Sequence, residues 1–85
     1  PTRKAFDDIR SAAPEAFLLD ERSGAVVVLG ERGRTHFFSP DGKLVSSVRY
    51  SRDAIEKKRR QGLWRPLPKA EAQAARDTLL QKPPE

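Results

Sequence analysis

The chain has 85 residues, of which 36% are hydrophobic and 34% charged, so it is expected to form one small domain with a thin core and an ionic surface. It has no cysteine, which excludes disulfide scaffolds, cysteine zinc sites, thiolate nucleophiles and iron–sulfur ligation together. The net charge of +5 favours polyanionic partners, while no apolar run approaches the ~20 residues that span a bilayer.

At the N-terminus, "PTRKAFDDIR" lacks the apolar centre of a secretory signal, and the expectation is a cytoplasmic protein with no membrane partner. Thr2 is a capping residue, and Phe6, Ile9 and Ala13 recur behind it at helical spacing, with Asp7 and Asp8 on the opposite side. Pro14 stops this helix, so segment 1–14 is an N-terminal helix with a narrow apolar stripe that needs a larger surface to pack on.

From Ala16 the period changes. "AFLLD", "AVVVLG", "RTHFFS" and "LVSSVRY" are β-branched or aromatic runs separated by "ERSG", "ERG" and "PDGK", which predicts a four-stranded antiparallel meander. The clearest turn is Ser39-Pro40-Asp41-Gly42, where proline presets the first corner and glycine tolerates the left-handed conformation. A three-residue loop there would pair Phe38 with Leu44, Phe37 with Val45, His36 with Ser46 and Thr35 with Ser47. One sheet face would then carry His36, Phe38, Leu44, Val48 and Tyr50, and the other Thr35, Phe37, Val45, Ser47 and Arg49. "AVVVLG" is apolar on both faces and needs cover on each side, from the first helix or from a partner chain.

Ser51 offers an N-cap and Asp53 a first-turn carboxylate, so a second helix is expected from Arg52 to Gln61, ending at Gly62. "RPLPK" breaks the chain, and "KAEAQAARDTLLQK" then forms a third helix with Ala72, Ala75 and Leu79 on one stripe before "PPE". The predicted architecture is a single small α+β domain of order α-ββββ-α-α. It has a ββββα core over 15–65 and a proline-flanked C-terminal helix and tail over 66–85.

Around the second helix, Arg52, Lys57, Lys58, Arg59, Arg60 and Arg65 face only Asp53 and Glu56 in sequence, which concentrates most of the chain's charge excess there. On an ideal helix Lys57 and Arg60 share a side with Trp64, whereas Ile55, Lys58 and Arg59 lie on the other, where long aliphatic stems cover apolar surface. Two readings of the run stand: a phosphate-contacting surface, and a solvated helix face. Arg32 and Arg34 border one hairpin turn, Lys43 another, and Arg49 leads into the helix. Phe37, near Arg49 and the hydroxyls of Thr35 and Ser47, is either a stacking platform for unpaired bases or part of a second small core. Trp64 is either the anchor that closes the helix end on the sheet or a stacking ring.

His36 has no second imidazole or cysteine to complete a metal site and reads as a hydrogen-bonded strand residue. The sequence has no GxxxxGK[ST], GxGxxG or GxSxG motif, and the adjacent acidic pairs Asp7-Asp8 and Asp20-Glu21 point apart on regular structure. No catalytic residue, metal or cofactor is expected, and the chain is read as a non-enzyme. The ββββα order is similar to that of small single-strand-binding modules such as the PUR and Whirly domains, which often pair into dimers.

The leading expectation is a small DNA- or RNA-binding accessory or regulatory protein. Arg34, Lys43, Arg49, Lys57, Lys58, Arg59 and Arg60 would contact phosphates while Phe37 or Trp64 stacks on bases. The alternative is a protein-interaction module, forming a homodimer or docking on an acidic protein partner.

Overall fold

A computed structural model describes residues 2–81; the capping side chain expected at Thr2 and the closing "PPE" fall outside what is described. The element order is α1 (Thr2–Ser11), β1 (Phe17–Asp20), β2 (Val26–Leu29), β3 (Arg34–Phe38), β4 (Leu44–Arg49), α2 (Arg52–Arg60), β5 (Trp64–Pro66) and α3 (Lys69–Gln81), with single 3-10 turns at Pro14–Ala16 and Glu31–Gly33. The α+β class and the helix, meander, helix, helix order stand as expected.

The sheet has five strands where the sequence suggested four, all antiparallel, in the order β4-β3-β2-β1-β5. The added strand is the proline-flanked break itself. After α2 the chain returns to the far edge, pairs Trp64 with Asp20 and Arg65 with Leu19, and is tied by Glu21 N–H to Leu63 C=O and Leu67 N–H to Phe17 C=O. On that edge the alternation of the ladder turns the missing N–H of Pro66 away from β1, so the proline removes no sheet bond.

The Ser39–Gly42 turn forms as read, with Gly42 N–H donating to Ser39 C=O, Ser39 N–H to Lys43 C=O, and Gly42 at φ 91°. Beyond it the register departs from expectation. Phe38 faces Leu44, but Phe37 faces Ser46, His36 faces Ser47 and Thr35 faces Val48, which leaves Val45 as the extra residue of a β-bulge. A slip of one residue exchanges the faces, so Ser47 joins His36, while Ser46, Val48 and Tyr50 move to the side of Phe37.

Both faces of the sheet are covered from within the chain. On one side α1 and α3 cover Phe17, Val28 and Phe38 with Ala5, Phe6, Ile9, Ala72 and Leu79, and Ala75 packs beside them. On the other, Leu18, Val27 and Trp64 form a smaller core with Leu29, Phe37, Tyr50, Ile55 and Leu63. The two apolar faces of "AVVVLG" are thus explained, Val28 serving one core and Val27 the other.

The apolar stripe of α1 is also shifted from the predicted one. Ala5, Ile9 and Ala12 pack inward at helical spacing, Ala13 lies exposed beyond the helix, and Asp8 sits on the buried stripe. Asp8 is 5% exposed because its partners are on β3: Arg34 donates Nε–H to Oδ2 and Nη2–H to Oδ1, both at 2.9 Å, and His36 Nε2 lies 2.7 Å from Oδ2. The bidentate Arg34 pair, opposed by burial and helped by His36, holds the Asp8 carboxyl below its ordinary range, and Asp8 in turn raises Arg34. Ser47 Oγ lies 2.8 Å from His36 Nδ1 and extends the chain of hydrogen bonds to β4. A Cβ at Gly30 would run into the Asp8 carboxylate, which is why a glycine ends β2.

A carboxyl whose folded pKa is depressed contributes stability in full above its unfolded value and loses it as pH falls through the folded one. Wild-type stability should therefore drop as pH falls below about 4, and Asp8→Asn should remove most of that drop while lowering neutral-pH stability by about 3 kcal/mol, measured by urea unfolding from pH 7 to pH 2.

Candidate nucleic-acid interface

α2 starts where the Ser51 hydroxyl accepts the Ala54 N–H at 3.1 Å. It ends at Gly62, φ 75°, with Leu63 N–H donating to Lys58 C=O and Gly62 N–H to Arg59 C=O. Lys57, Lys58, Arg59 and Arg60 fill its last turn, where free carbonyls and the negative end of the helix dipole favour cations. Part of the basic run thus has a local structural reason. The helix docks through Ile55 and Lys58, whose Nζ stands 5.6 Å from the Tyr50 ring centroid and 5.3 Å from that of Trp64. Tyr50, Phe37 and Trp64 pack edge to face around it, with centroids 5.5 to 6.4 Å apart.

This packing revises the expected contact residues. Trp64 is 2% exposed and is the anchor of the smaller core, so it has no face to offer a base. Arg34 gives its fork to Asp8, and Lys58 lies over two rings half-buried. Arg49, Lys57, Arg59 and Arg60 are exposed and, among the described residues, take part in no ion pair. Lys43 is exposed too, but at the opposite end of β4 from Arg49, about 20 Å away at the rise of a strand. Phe37 is half-buried and lines a surface concavity.

Among the described residues, two concavities lie on the side of the sheet that α1 and α3 do not cover. One, of about 680 Å³, runs between the Glu31–Gly33 turn and the start of α2, and Arg32, Arg49 and Arg52 line it with Tyr50, Ile55 and the single carboxylate of Glu56. None of the three arginines is in an ion pair among the described residues. Arg52, Glu56, Arg59 and Arg60 follow one another along α2 at i, i+4, i+7 and i+8, so the basic surface continues from this groove toward the helix end. The other concavity, of about 410 Å³, has Phe37, Val45, Val48 and Tyr50 for its apolar wall, with Ser23, Ser39 and Ser46 in the same lining, and no charged side chain lines it. Val45 and Val48 are 67% and 42% exposed. Tyr50 belongs to both concavities and joins them.

Arg32 has φ 57°, a left-handed conformation that costs a non-glycine residue about 1 kcal/mol. The neighbouring Gly33, at φ 79°, is required because a Cβ there would run into the carbonyl oxygen of Tyr50. The turn between them therefore aims Arg32 at the groove through a strained backbone. Sequence reasoning placed Arg32 beside a turn and Arg52 in the basic run, but did not bring them together with Arg49. The bulge at Val45, which sets the phase of Arg49 and Tyr50, has no glycine or proline to mark it.

Ser47, His36 and Asp8 form a hydrogen-bonded line in the order nucleophile, base and carboxylate. Asp8 is also held by both Arg34 bonds. The geometry is that of a polar tie between α1 and the sheet. Among the described residues no group of three His, Cys, Asp or Glu side chains is placed to hold a metal ion, and no helix is long and apolar enough to cross a membrane. No protein-family model, curated protein or solved structure matches the chain.

Arg32→Gly should leave the unfolding midpoint unchanged or raise it, because glycine adopts φ 57° without steric penalty, whereas Gly33→Ala should lower stability by more than about 1 kcal/mol. Thermal unfolding followed by circular dichroism separates the two outcomes.

Proposed function

We propose that the protein is a non-enzymatic nucleic-acid-binding module whose phosphate site is the groove between the Glu31–Gly33 turn and α2. The observation that carries this reading is the lining of that groove by Arg32, Arg49 and Arg52 against one carboxylate, with none of the three in an ion pair among the described residues. Like charges brought into one groove repel, and a polyanion relieves that repulsion while releasing its own counterions. Arginine suits the role because its planar fork meets two phosphate oxygens at once. Arg59 and Arg60 extend the path along α2, and Lys57 adds to the local field.

A second reading draws on the open edge of β4, a six-residue strand paired only with β3, whose exposed Val45 and Val48 would suit an added strand from an acidic partner. Self-pairing of this edge in a homodimer would bring the Lys43 end of one copy toward the Arg49 end of the other, a like-charge contact that opposes it.

Binding of a labelled oligonucleotide should weaken steeply with salt, and the combined Arg32→Gln, Arg49→Gln and Arg52→Gln substitutions should flatten the slope of log K against log salt by about 2 for a single strand. Lys4→Gln with Lys69→Gln, on exposed positions of α1 and α3, should leave the slope close to wild type. Absence of affinity at low ionic strength defeats the proposal, and so does a triple arginine variant that binds as wild type does. Competition by polyglutamate as effective as that by an oligonucleotide of equal charge favours the second reading.

A further inference from the structure

Resting on the nucleic-acid reading, we infer that the ligand is single-stranded, with phosphates in the arginine groove and unpaired bases on the apolar concavity beside it. The two concavities share Tyr50 and differ completely in chemistry: one presents three guanidinium groups, the other is lined by uncharged side chains alone. A chain that alternates phosphates with flat rings matches that division, and a peptide of acidic residues alone does not, because its carboxylates would meet uncharged wall along half of the surface.

A duplex would use only the first concavity, since its bases are turned inward and stacked on one another. The second contributes only when bases are free to leave the stack. Its wall is suited to them: Phe37 and Tyr50 are half-buried in its lining, Val45 and Val48 are exposed beside them, and the hydroxyl of Ser46 stands within the same lining as a donor or acceptor for a base edge. The bulge at Val45 is what assembles this wall, because without it Val48 and Tyr50 would turn to the face packed under α1 and α3. Lys43 stands about 20 Å from Arg49, at the far end of the concavity, and supplies a second phosphate contact after the bases have crossed it. A strand laid along β4 in this way occupies about four nucleotides, the lower end of the range for small single-strand modules.

Fluorescence anisotropy with three probes of equal phosphate count tests this: a short oligothymidylate, the same strand with abasic sites throughout, and a duplex. The oligothymidylate should bind about ten-fold tighter than either of the others, the effect of one stacked base. The double variant Val45→Ser/Val48→Ser, at exposed positions, should remove most of that preference and leave affinity for the abasic strand unchanged. A duplex that binds as tightly as the oligothymidylate overturns the inference, as does a serine variant with full preference. In either case loss of binding in the triple arginine variant keeps the nucleic-acid reading intact. No binding of any of the three probes at low salt overturns both.

Discussion

The carboxylate of Asp8 is the contact on which the arrangement of the molecule rests. It is buried, it takes both arms of Arg34 at 2.9 Å, and it meets His36 at 2.7 Å, so one side chain of α1 is fixed to two residues of β3. A buried charge left unpaired is strongly destabilising, and this gives the seating of α1 a specificity that its few apolar residues do not supply. One further feature follows from it: Gly30 is a glycine because the carboxylate lies against it. Ser47 extends the line from His36 to β4, and α3 packs beside α1 on the same sheet face. With that face closed, the opposite one is left to α2, the aromatic cluster and the two concavities.

The same contact sorts the cations. Arg34 and Arg32 are two positions apart, yet one is neutralised under α1 and the other is turned by a left-handed backbone into an open groove. Lys58 is similarly absorbed, lying over Tyr50 and Trp64, while its neighbours Lys57, Arg59 and Arg60 remain exposed. The excess positive charge of the chain is therefore divided between structural and accessible groups. Electrostatic attraction at an exposed groove is strongest at low salt and decays over about 10 Å at 0.1 M, so the close grouping of Arg32, Arg49 and Arg52 matters more than the net charge.

Much of this was legible in the sequence where local chemistry decides structure. The Ser39–Gly42 turn, the Ser51 cap, the Gly62 stop and the Ala72–Ala75–Leu79 stripe depend on near neighbours, and each forms as read. What escaped depends on partners distant in the chain. Asp8 looks like a solvent-facing charge until Arg34 and His36 are brought beneath it, although its place between Ala5, Ile9 and Ala12 is a stripe position. Trp64–Pro66 looks like a break because prolines forbid a central strand, and it becomes a strand only on an edge that the meander leaves open. The Val45 bulge left no local mark and exchanged the faces of everything after it. For the site, the chemistry of the residues was visible and their grouping was not: Trp64, Arg34 and Lys58 were absorbed by packing, and Arg32, Arg52 and Tyr50 took their places around Arg49.

The proposed binding surface joins the arginine groove to the apolar wall beside it, on the sheet face away from α1 and α3. Proton–nitrogen correlation spectra of the isotope-labelled protein, recorded during titration with a short single-stranded oligonucleotide, read this residue by residue. The amides of Arg32, Gly33 and Arg49 to Arg52 should shift together with those of Val45 to Val48, while Ala5 to Ile9 and Ala72 to Leu79 stay in place. Shifts confined to the exposed sides of α1 and α3, with the groove and β4 unmoved at saturation, would contradict it.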